Sequence, residues 1–253
     1  MHDILHNGAI TLHHGDCLDV MHEIPDGSVD AIICDIPYGK TNCKWDVVIP
    51  FEPMWIHLKR IIKPRGAIVL FGSQPFTSAL VMSNPKMFRY EWIWNKNNGA
   101  NFASVKKMPL RVHENICVFY DKQPLYNAEL KGGTIKSFGK RVFQDSVVSA
   151  NNTGTKQGIG YPKSIVSFPK PNNLSGGGLH PTQKPVALLE YLIRTYTNEG
   201  ETVLDFTFGS CSAGVAALTT KRRFIGIERD ATYYALGVQR VQTAIDNLPP
   251  MDV

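Results

Sequence analysis

The fold of this chain is decided by the stretch Thr202-Val-Leu-Asp205-Phe-Thr-Phe-Gly209-Ser-Cys211-Ser-Ala-Gly214. Its pattern predicts a short buried strand, a turn containing glycine and the start of a helix. A second strand is predicted at Phe224-Ile-Gly-Ile-Glu228, which ends on a carboxylate. Asp205 and Glu228 are separated by close to the ~20 residues at which an acid meets ribose hydroxyls in nucleotide-binding folds. The glycines do not follow G-x-G-x-x-G, so a nicotinamide cofactor is not favoured.

Polar side chains stand just past several predicted strands. Buried strands are predicted at Val29–Cys34 and Ala67–Gly72, which are continuous apolar runs. Predicted helices alternate with the strands along the chain and lie at Cys17–Ile24, Phe51–Lys63, Val186–Tyr196, Ala213–Thr220 and Thr232–Ile245. This alternation predicts an α/β fold with a mostly parallel, doubly wound sheet. In such a sheet the residues that follow the strands meet in one crevice; here they are Asp16, Asp35, Asp205 and Glu228.

Composition excludes several classes of protein. The chain has 253 residues, of which 43% are hydrophobic and 19% are charged, and this suits one large domain with its own core. No apolar run approaches the ~18–20 residues that span a bilayer, and no signal peptide follows the N-terminus. The five cysteines are widely spaced without a Cys-x-x-Cys pair. We therefore predict a cytoplasmic protein with reduced thiols and no metal site.

Positive charge is concentrated in the middle of the chain. The net charge is +5, but residues 86–179 alone carry +9 and the remainder carries −4. Basic and aromatic residues alternate irregularly there, and residues 121–179 show glycine clusters but no sustained period. Residues 97–111 are predicted to form a polar, basic loop. A solvated loop region is one interpretation; the sign asymmetry favours a nucleic-acid-binding surface.

The segment Asp35-Ile-Pro37-Tyr38-Gly39 holds an acceptor carboxylate, a carbonyl and an aromatic ring in one short turn. Pro37 fixes its own φ and favours an extended Ile36. These groups suit a planar substrate with an exocyclic amine, because acceptors aimed at its N–H bonds localise the nitrogen lone pair. A turn whose aspartate caps a helix is the alternative.

Three motifs resemble those of the β-class amino-group DNA methyltransferases. Asp35-Ile-Pro-Tyr38 resembles D-P-P-Y, the Asp205–Gly214 stretch resembles D-P-F-x-G-S-G-T, and His180-Pro-Thr-Gln-Lys-Pro185 resembles H-P-x-x-K-P. Their order is that of the β class. The resemblance implies a circularly permuted Rossmann-like methyltransferase sheet with an inserted target-recognition region. It divides the chain into a catalytic half (1–120), the insertion (121–179) and a cofactor-binding half (180–253).

The resemblance also implies residue roles. Asp35 and the carbonyl of Ile36 would accept hydrogen bonds from the target amine, within the rigid turn of Pro37, and Tyr38 would stack on the base. The residues implied to bind S-adenosylmethionine are Asp16, Thr182, Lys184, Asp205, Phe206, Gly209, Ser210, Cys211 and Glu228. The predicted nucleic-acid contacts are Lys96, Lys106, Lys107, Arg111, Lys136, Lys140, Arg141 and Lys156.

Two departures from the motifs stand out. Ile36 replaces a proline where the family uses a main-chain carbonyl. Cys211 replaces a glycine, so we expect its Cβ to crowd the cofactor or to require a negative φ. Phe206 and Thr207 differ from the family's Pro-Phe.

The predicted function is methyl transfer from S-adenosylmethionine to N6 of a flipped adenine in double-stranded DNA. Cytosine N4 is the alternative within the class, and a DNA-binding protein with a decayed cofactor site is the alternative outside it. Methylation of RNA or of a protein amide is a weaker third interpretation. The resemblance suggests a bacterial or phage enzyme, as a monomer or a homodimer, and leaves the recognition sequence and any restriction partner open.

Overall fold

The computed structural model describes residues 2–40, 46–137, 155–171 and 183–248. Its strands are β1 (His2–Leu5), β2 (Ile10–His14), β3 (Val29–Cys34), β4 (Ile62–Gly72), β5 (Phe88–Ala100), β6 (Arg111–Phe119), β7 (Lys131–Ser137), β8 (Thr155–Gly160), β9 (Ile165–Ser167), β10 (Thr202–Asp205) and β11 (Arg223–Glu228). Its helices are α1 (Cys17–Met21), α2 (Phe51–Ile61), α3 (Phe76–Ser83), α4 (Val186–Tyr196), α5 (Ser212–Thr219) and α6 (Ala231–Asp246).

Nine strands form one mixed sheet in the order β1-β2-β11-β10-β3-β4-β6-β5-β9. The five strands from β2 to β4 in this order are mutually parallel. Strand β6 pairs antiparallel with both β4 and β5. The chain order of the strands reverses between β10 and β3, and ligands of doubly wound sheets bind at such a switch point. Strands from the C-terminal part of the chain therefore lie between strands from its N-terminal part. The predicted Rossmann-like α/β sheet is confirmed.

The core consists of two apolar layers, one on each face of the sheet. Alternate residues of β3 point to opposite faces: Ala31 and Ile33 join the layer of α4, α5 and α6, while Ile32 and Cys34 join the layer of α1, α2 and α3. The most apolar strands are covered on both faces, as parallel strands require. This packing fixes the loops that follow β3 and β10 at the carboxyl edge of the sheet.

Residues Ala128–Lys163 form a separate compact unit, which lies within the predicted insertion. There β7 and β8 pair antiparallel, so the expectation of an irregular segment was wrong for these strands. The pairing is made by backbone groups and needs no apolar period, which is why the pattern did not reveal it. The other unit comprises Met1–Asn127 and Ser164–Val253. The three predicted segment boundaries stay a prediction.

Part of the predicted basic loop is also regular. Strand β5 continues to Ala100, where it pairs with Arg111 after a register shift, and Phe102–Ser104 form a turn of 3₁₀-helix. The segment at 97–111 is thus a long hairpin between β5 and β6. In the described part of the chain, no helix is both long enough and apolar enough to cross a membrane.

Candidate active site

One pocket of about 260 Å³ opens at the carboxyl ends of the parallel strands. Its walls come from the loops after β2, β3, β10 and β11, as the switch-point rule predicts. Most of the predicted cofactor and catalytic residues line it, namely Asp16, Asp35, Ile36, Pro37, Tyr38, Lys184, Asp205, Phe206, Gly209, Ser210 and Glu228. The two motif loops therefore share one cavity.

Asp46 holds the turn that follows β3. Its carboxylate accepts hydrogen bonds from the backbone N–H groups of Tyr38, Gly39 and Lys40 at 2.8–2.9 Å. Gly39 has φ +66°, a conformation that side chains disfavour. A buried carboxylate with three N–H donors thus fixes the catalytic turn, which sequence analysis did not foresee.

The Asp35 carboxylate is engaged on both oxygens. The Tyr38 hydroxyl donates to Oδ1 at 2.7 Å, and Lys184 Nζ contacts Oδ2. Burial raises the pKa of Asp35, while Lys184 opposes that shift. Burial also raises the pKa of Tyr38 well above its usual range, so its hydroxyl keeps its proton and donates. In this arrangement Asp35 is an oriented acceptor with a cation beside it.

The loop after β10 is tied to the end of β11. Glu228 Oε2 accepts from the Gly209 N–H at 2.9 Å, and Glu228 Oε1 accepts from the Asp230 N–H at 2.8 Å. Asp205 Oδ1 accepts from the Thr207 N–H at 3.1 Å. Burial raises the pKa of Asp205 to about 7 and also raises that of Glu228. The pocket thus has buried acidic groups that a positively charged or hydroxyl-bearing ligand would satisfy.

Cys211 does not behave as expected. It keeps a positive φ of +55°, so the expectation of a negative φ was wrong. Its side chain is fully buried and does not line the pocket, so it does not crowd a ligand there. A Cβ added at Gly214 would lie 2.5 Å from Cys211 Sγ, and one added at Gly237 would lie 3.1 Å from Cys211 Cβ. These glycines make room for the cysteine within the core.

Asp16 and Ser210 both line the pocket. Asp16 caps α1 by accepting from the Leu18 N–H at 2.9 Å, and its second oxygen lies 3.7 Å from Arg229. Arg240 donates to the carbonyl and the hydroxyl of Ser210 at 2.8 and 3.1 Å. Arg240, which does not line the pocket, therefore holds the Ser210 loop from outside the cavity, whereas the Asp16 contacts are made within its wall.

Lys96 was predicted to contact nucleic acid, and the structure places it elsewhere. Its side chain is only 4% exposed, and Nζ donates to Glu114 Oε1 at 2.7 Å. The second Glu114 oxygen lies 3.4 Å from Lys184 Nζ. Burial works to raise the pKa of Glu114, but Lys184 and Lys96 together lower it. Lys96 belongs to this interior ion cluster and is unavailable to a surface ligand.

The other predicted nucleic-acid contacts are distributed as follows. Lys106, Lys107 and Arg111 are exposed on the hairpin between β5 and β6. Lys136 and Lys156 are register partners in the β7–β8 pair. Lys140, Arg141 and the predicted cofactor residue Thr182 lie outside the described residues.

Sequence analysis missed Glu114, Asp46 and Lys40. Lys40 Nζ donates to the Ser73 carbonyl at 2.8 Å, and Ser73 Oγ in turn accepts from Arg111 at 3.2 Å. Glu114 lies in the polar first half of β6, between His113 and Asn115, so the local pattern does not single it out, and its partners Lys96 and Lys184 come from distant segments. Within the described ranges, no group of three or more His, Cys, Asp or Glu side chains is arranged to hold a metal ion.

Residues 29–239 match the family model for N6/N4 methyltransferases, described as DNA methylase. The DNA adenine methyltransferase YhdJ of Escherichia coli (strain K12) is 29% identical over 253 residues, covering 94% of this chain and 84% of that protein. The type II methyltransferase M.HinfI of Haemophilus influenzae is 27% identical and covers 96% of this chain and 70% of that protein.

Solved structures with the same fold are also DNA methyltransferases. M1.HpyAVI, solved as a complex with S-adenosylmethionine, matches 94% of this chain and 100% of its own, with a TM-score of 0.64 and 23% identity. The cytosine-N4-specific PvuII DNA methyltransferase covers 96% of this chain and 88% of its own, with a TM-score of 0.65 and 17% identity. The family match spans most of the chain and includes both motif loops of the pocket. The protein therefore belongs to the N6/N4 DNA methylase family.

Proposed function

We propose that this protein transfers a methyl group from S-adenosylmethionine to the exocyclic N6 of an adenine flipped out of double-stranded DNA. The observation that carries the proposal is that Asp35 and Tyr38 line the same pocket as Asp205 and Glu228. A methyl donor bound by the loops after β10 and β11 would therefore lie in the same pocket as hydrogen-bond acceptors that suit an amine.

The donor set of the pocket fits S-adenosylmethionine. Glu228 is a half-buried carboxylate that suits the ribose hydroxyls, and Asp16 suits the adenine amine. Asp205, with its pKa raised to about 7 by burial, suits the positive methionine end. When bound there, S-adenosylmethionine would supply an electrophilic methyl group to the amine nitrogen, with its sulfonium sulfur as the leaving group.

The chain's own residues orient the amine. Asp35 and the main-chain carbonyl of Ile36 accept its two N–H bonds, and this directs the nitrogen lone pair toward the methyl carbon. Asp46 keeps the turn rigid through the N–H groups of Tyr38, Gly39 and Lys40. Catalysis therefore rests on positioning of the amine against the methyl donor.

Base flipping follows from the depth of the catalytic residues. Asp35 is mostly buried at the sheet edge, so an amine that remains stacked within a duplex does not reach it. Tyr38 lines the pocket, with the Phe76 ring centroid 5.1 Å from its own, and its ring offers a stacking surface for the base. The exposed Lys106, Lys107 and Arg111 lie on the hairpin that leads into β6, where they suit phosphate contacts.

Adenine is favoured by the aspartate that begins the catalytic turn and by the similarity to an adenine methyltransferase at 29% identity. Cytosine N4 presents the same two N–H bonds to the same acceptors. The identity of the methylated nucleoside therefore tests the finer assignment.

The function is tested by following labelled methyl transfer from S-adenosylmethionine to duplex DNA. Wild-type protein should methylate DNA, and Asp35→Ala should lose about 10²-fold or more in kcat while still binding S-adenosylmethionine. Asp26→Ala, which removes an exposed carboxylate paired with Arg60, is the matched control. Full activity of Asp35→Ala would overturn the mechanism, and absence of S-adenosylmethionine binding by the wild type would overturn the function.

A further inference from the structure

The interior ion cluster includes the carboxylate of Asp35 itself. It consists of Lys96 on β5, Glu114 on β6, Lys184 before α4 and Asp35 after β3. Both lysines are under 8% exposed, so neither reaches bulk water. Two cations and two anions balance, and the cluster as a whole is neutral.

Lys184 is shared unequally between two carboxylates. Its Nζ makes a short contact with Asp35 Oδ2 and lies 3.4 Å from Glu114 Oε2. Glu114 Oε2 is buried and has no hydrogen-bond partner among the described residues. An ammonium has three donors, and a shift of less than about 1 Å brings Nζ into hydrogen-bond range of Glu114.

This inference rests on the proposed function, in which Asp35 accepts a hydrogen bond from the target amine. The amine then competes with Lys184 for the Asp35 carboxylate. In the present arrangement both Asp35 oxygens already accept, one from Tyr38 and one from Lys184. A buried ammonium released from Asp35 needs another anion at once, because an unpaired charge in the interior is strongly destabilising. Glu114 is the neighbouring carboxylate, and its Oε2 accepts no hydrogen bond from the described residues.

We propose that Glu114 is a positioning residue that takes Lys184 from Asp35 when the target amine binds. Lys96 anchors Glu114 through Oε1, so that Oε2 stays directed at Lys184. Phe71, whose ring centroid lies 5.1 Å from Lys184 Nζ, lines the path of this small movement. The exchange frees Asp35 Oδ2 for the amine and keeps every buried charge paired.

The surrounding charges set the expected pH dependence of a variant. Burial works to lower the pKa of Lys184, but Asp35 and Glu114 raise it, so the wild-type lysine stays charged. Removing the Glu114 charge lowers the pKa of Lys184 and leaves it paired with Asp35 alone. The other charged or titratable groups near the cluster are Lys40, Lys170, Tyr38 and Asp205.

The test is Glu114→Gln, assayed for DNA methylation and for S-adenosylmethionine binding. We expect kcat to fall about tenfold near neutral pH, with the dissociation constant of S-adenosylmethionine changed less than about twofold. The loss of kcat should become smaller as the pH rises, because removing the Glu114 charge lowers the pKa of Lys184, and a deprotonated Lys184 releases Asp35. Glu91→Gln is the matched control, since Glu91 on β5 accepts from Asn115 at 2.8 Å outside the pocket.

Two further variants separate positioning from folding. Lys96→Met combined with Glu114→Gln removes both charges of this ion pair, so neither charge is left buried without a partner. The double variant should show the same pH-dependent loss of kcat. In a Lys184→Gln background, Glu114→Gln should change kcat less than about twofold, because Lys184, which Glu114 takes from Asp35, is no longer present.

Wild-type kcat in Glu114→Gln, or an equal loss at every pH and in the Lys184→Gln background, would overturn the inference while leaving the proposed function intact. A wild-type protein that transfers no methyl group overturns the proposed function and this inference with it.

Discussion

The Thr207 hydroxyl donates a hydrogen bond of 3.1 Å to the main-chain carbonyl of Asp35. Thr207 belongs to the loop after β10 and Asp35 to the turn after β3, so this bond joins the two motif loops across the switch point of the sheet. Because the hydroxyl proton is used there, the Cys34 thiol is the donor in its 3.0 Å contact with Thr207 Oγ1. The residue that departs from the family's Pro-Phe thus acquires a definite structural role.

Thr207→Val should weaken catalysis more than cofactor binding. The substitution keeps the shape but removes the bond to the Asp35 carbonyl, and a neutral hydrogen bond contributes about 0.5–1.5 kcal/mol. We expect kcat to fall roughly threefold to tenfold, with the S-adenosylmethionine dissociation constant nearly unchanged. Thr243→Val removes an exposed hydroxyl that donates to Gln239 and should have no kinetic effect. An unchanged kcat in Thr207→Val would show that the bond does not position the turn.

Asp46→Ala should loosen the catalytic turn. The substitution leaves the N–H groups of Tyr38, Gly39 and Lys40 without their acceptor. A lost charge-assisted acceptor costs about 1–3 kcal/mol, so thermal unfolding should shift to lower temperature and methylation should fall. Asp26→Ala should leave the melting temperature nearly unaltered, because surface ion pairs contribute little. Equal melting temperatures for both variants would contradict the role of Asp46.

Cofactor affinity should depend on pH through Asp205. Burial raises the pKa of Asp205 to about 7, so its carboxyl group is ionised above that pH and neutral below it. A ligand with a positive methionine end prefers the ionised form, and its affinity should therefore fall by up to about tenfold per pH unit below 7. Calorimetric titration of S-adenosylmethionine from about pH 6 to about pH 8, roughly one unit on each side of this pKa, measures the dependence. Asp205→Asn should bind more weakly and show a flatter profile; a slope equal to that of the wild type would assign the titration to another group.

Cys211→Gly should leave S-adenosylmethionine affinity within about twofold, because the side chain does not line the pocket. Gly214→Ala, in contrast, should destabilise the fold, because the new Cβ would lie 2.5 Å from Cys211 Sγ. The melting temperature of Gly214→Ala should recover when Cys211→Gly is added. A marked gain of affinity in Cys211→Gly alone would restore the idea of a crowded cofactor site.

The motif residues could be placed from sequence because strand ends fix them. Asp35 directly follows β3, and Asp205 and Glu228 are the last residues of β10 and β11. Parallel strands bring such positions to one edge of the sheet, whatever the rest of the chain does. Lys96 was misplaced for the opposite reason. Its surroundings depend on the register of β5 against β6 and on Glu114, which a local count of charges does not include.

The backbone conformation of individual residues also could not be predicted from the sequence pattern. Cys211 keeps a left-handed backbone because the surrounding core, with Gly214 and Gly237, accommodates its side chain. The β7–β8 pair was missed because backbone hydrogen bonds hold it without an apolar repeat.

The central claim is that the pocket methylates adenine N6 with Asp35 as an acceptor for the amine. The most direct measurement is nucleoside mass spectrometry of DNA from cells that express the wild-type protein or Asp35→Ala. The account predicts N6-methyladenine above background with the wild-type protein and none above background with the variant. N4-methylcytosine in its place, or N6-methyladenine at equal levels with both proteins, would contradict it.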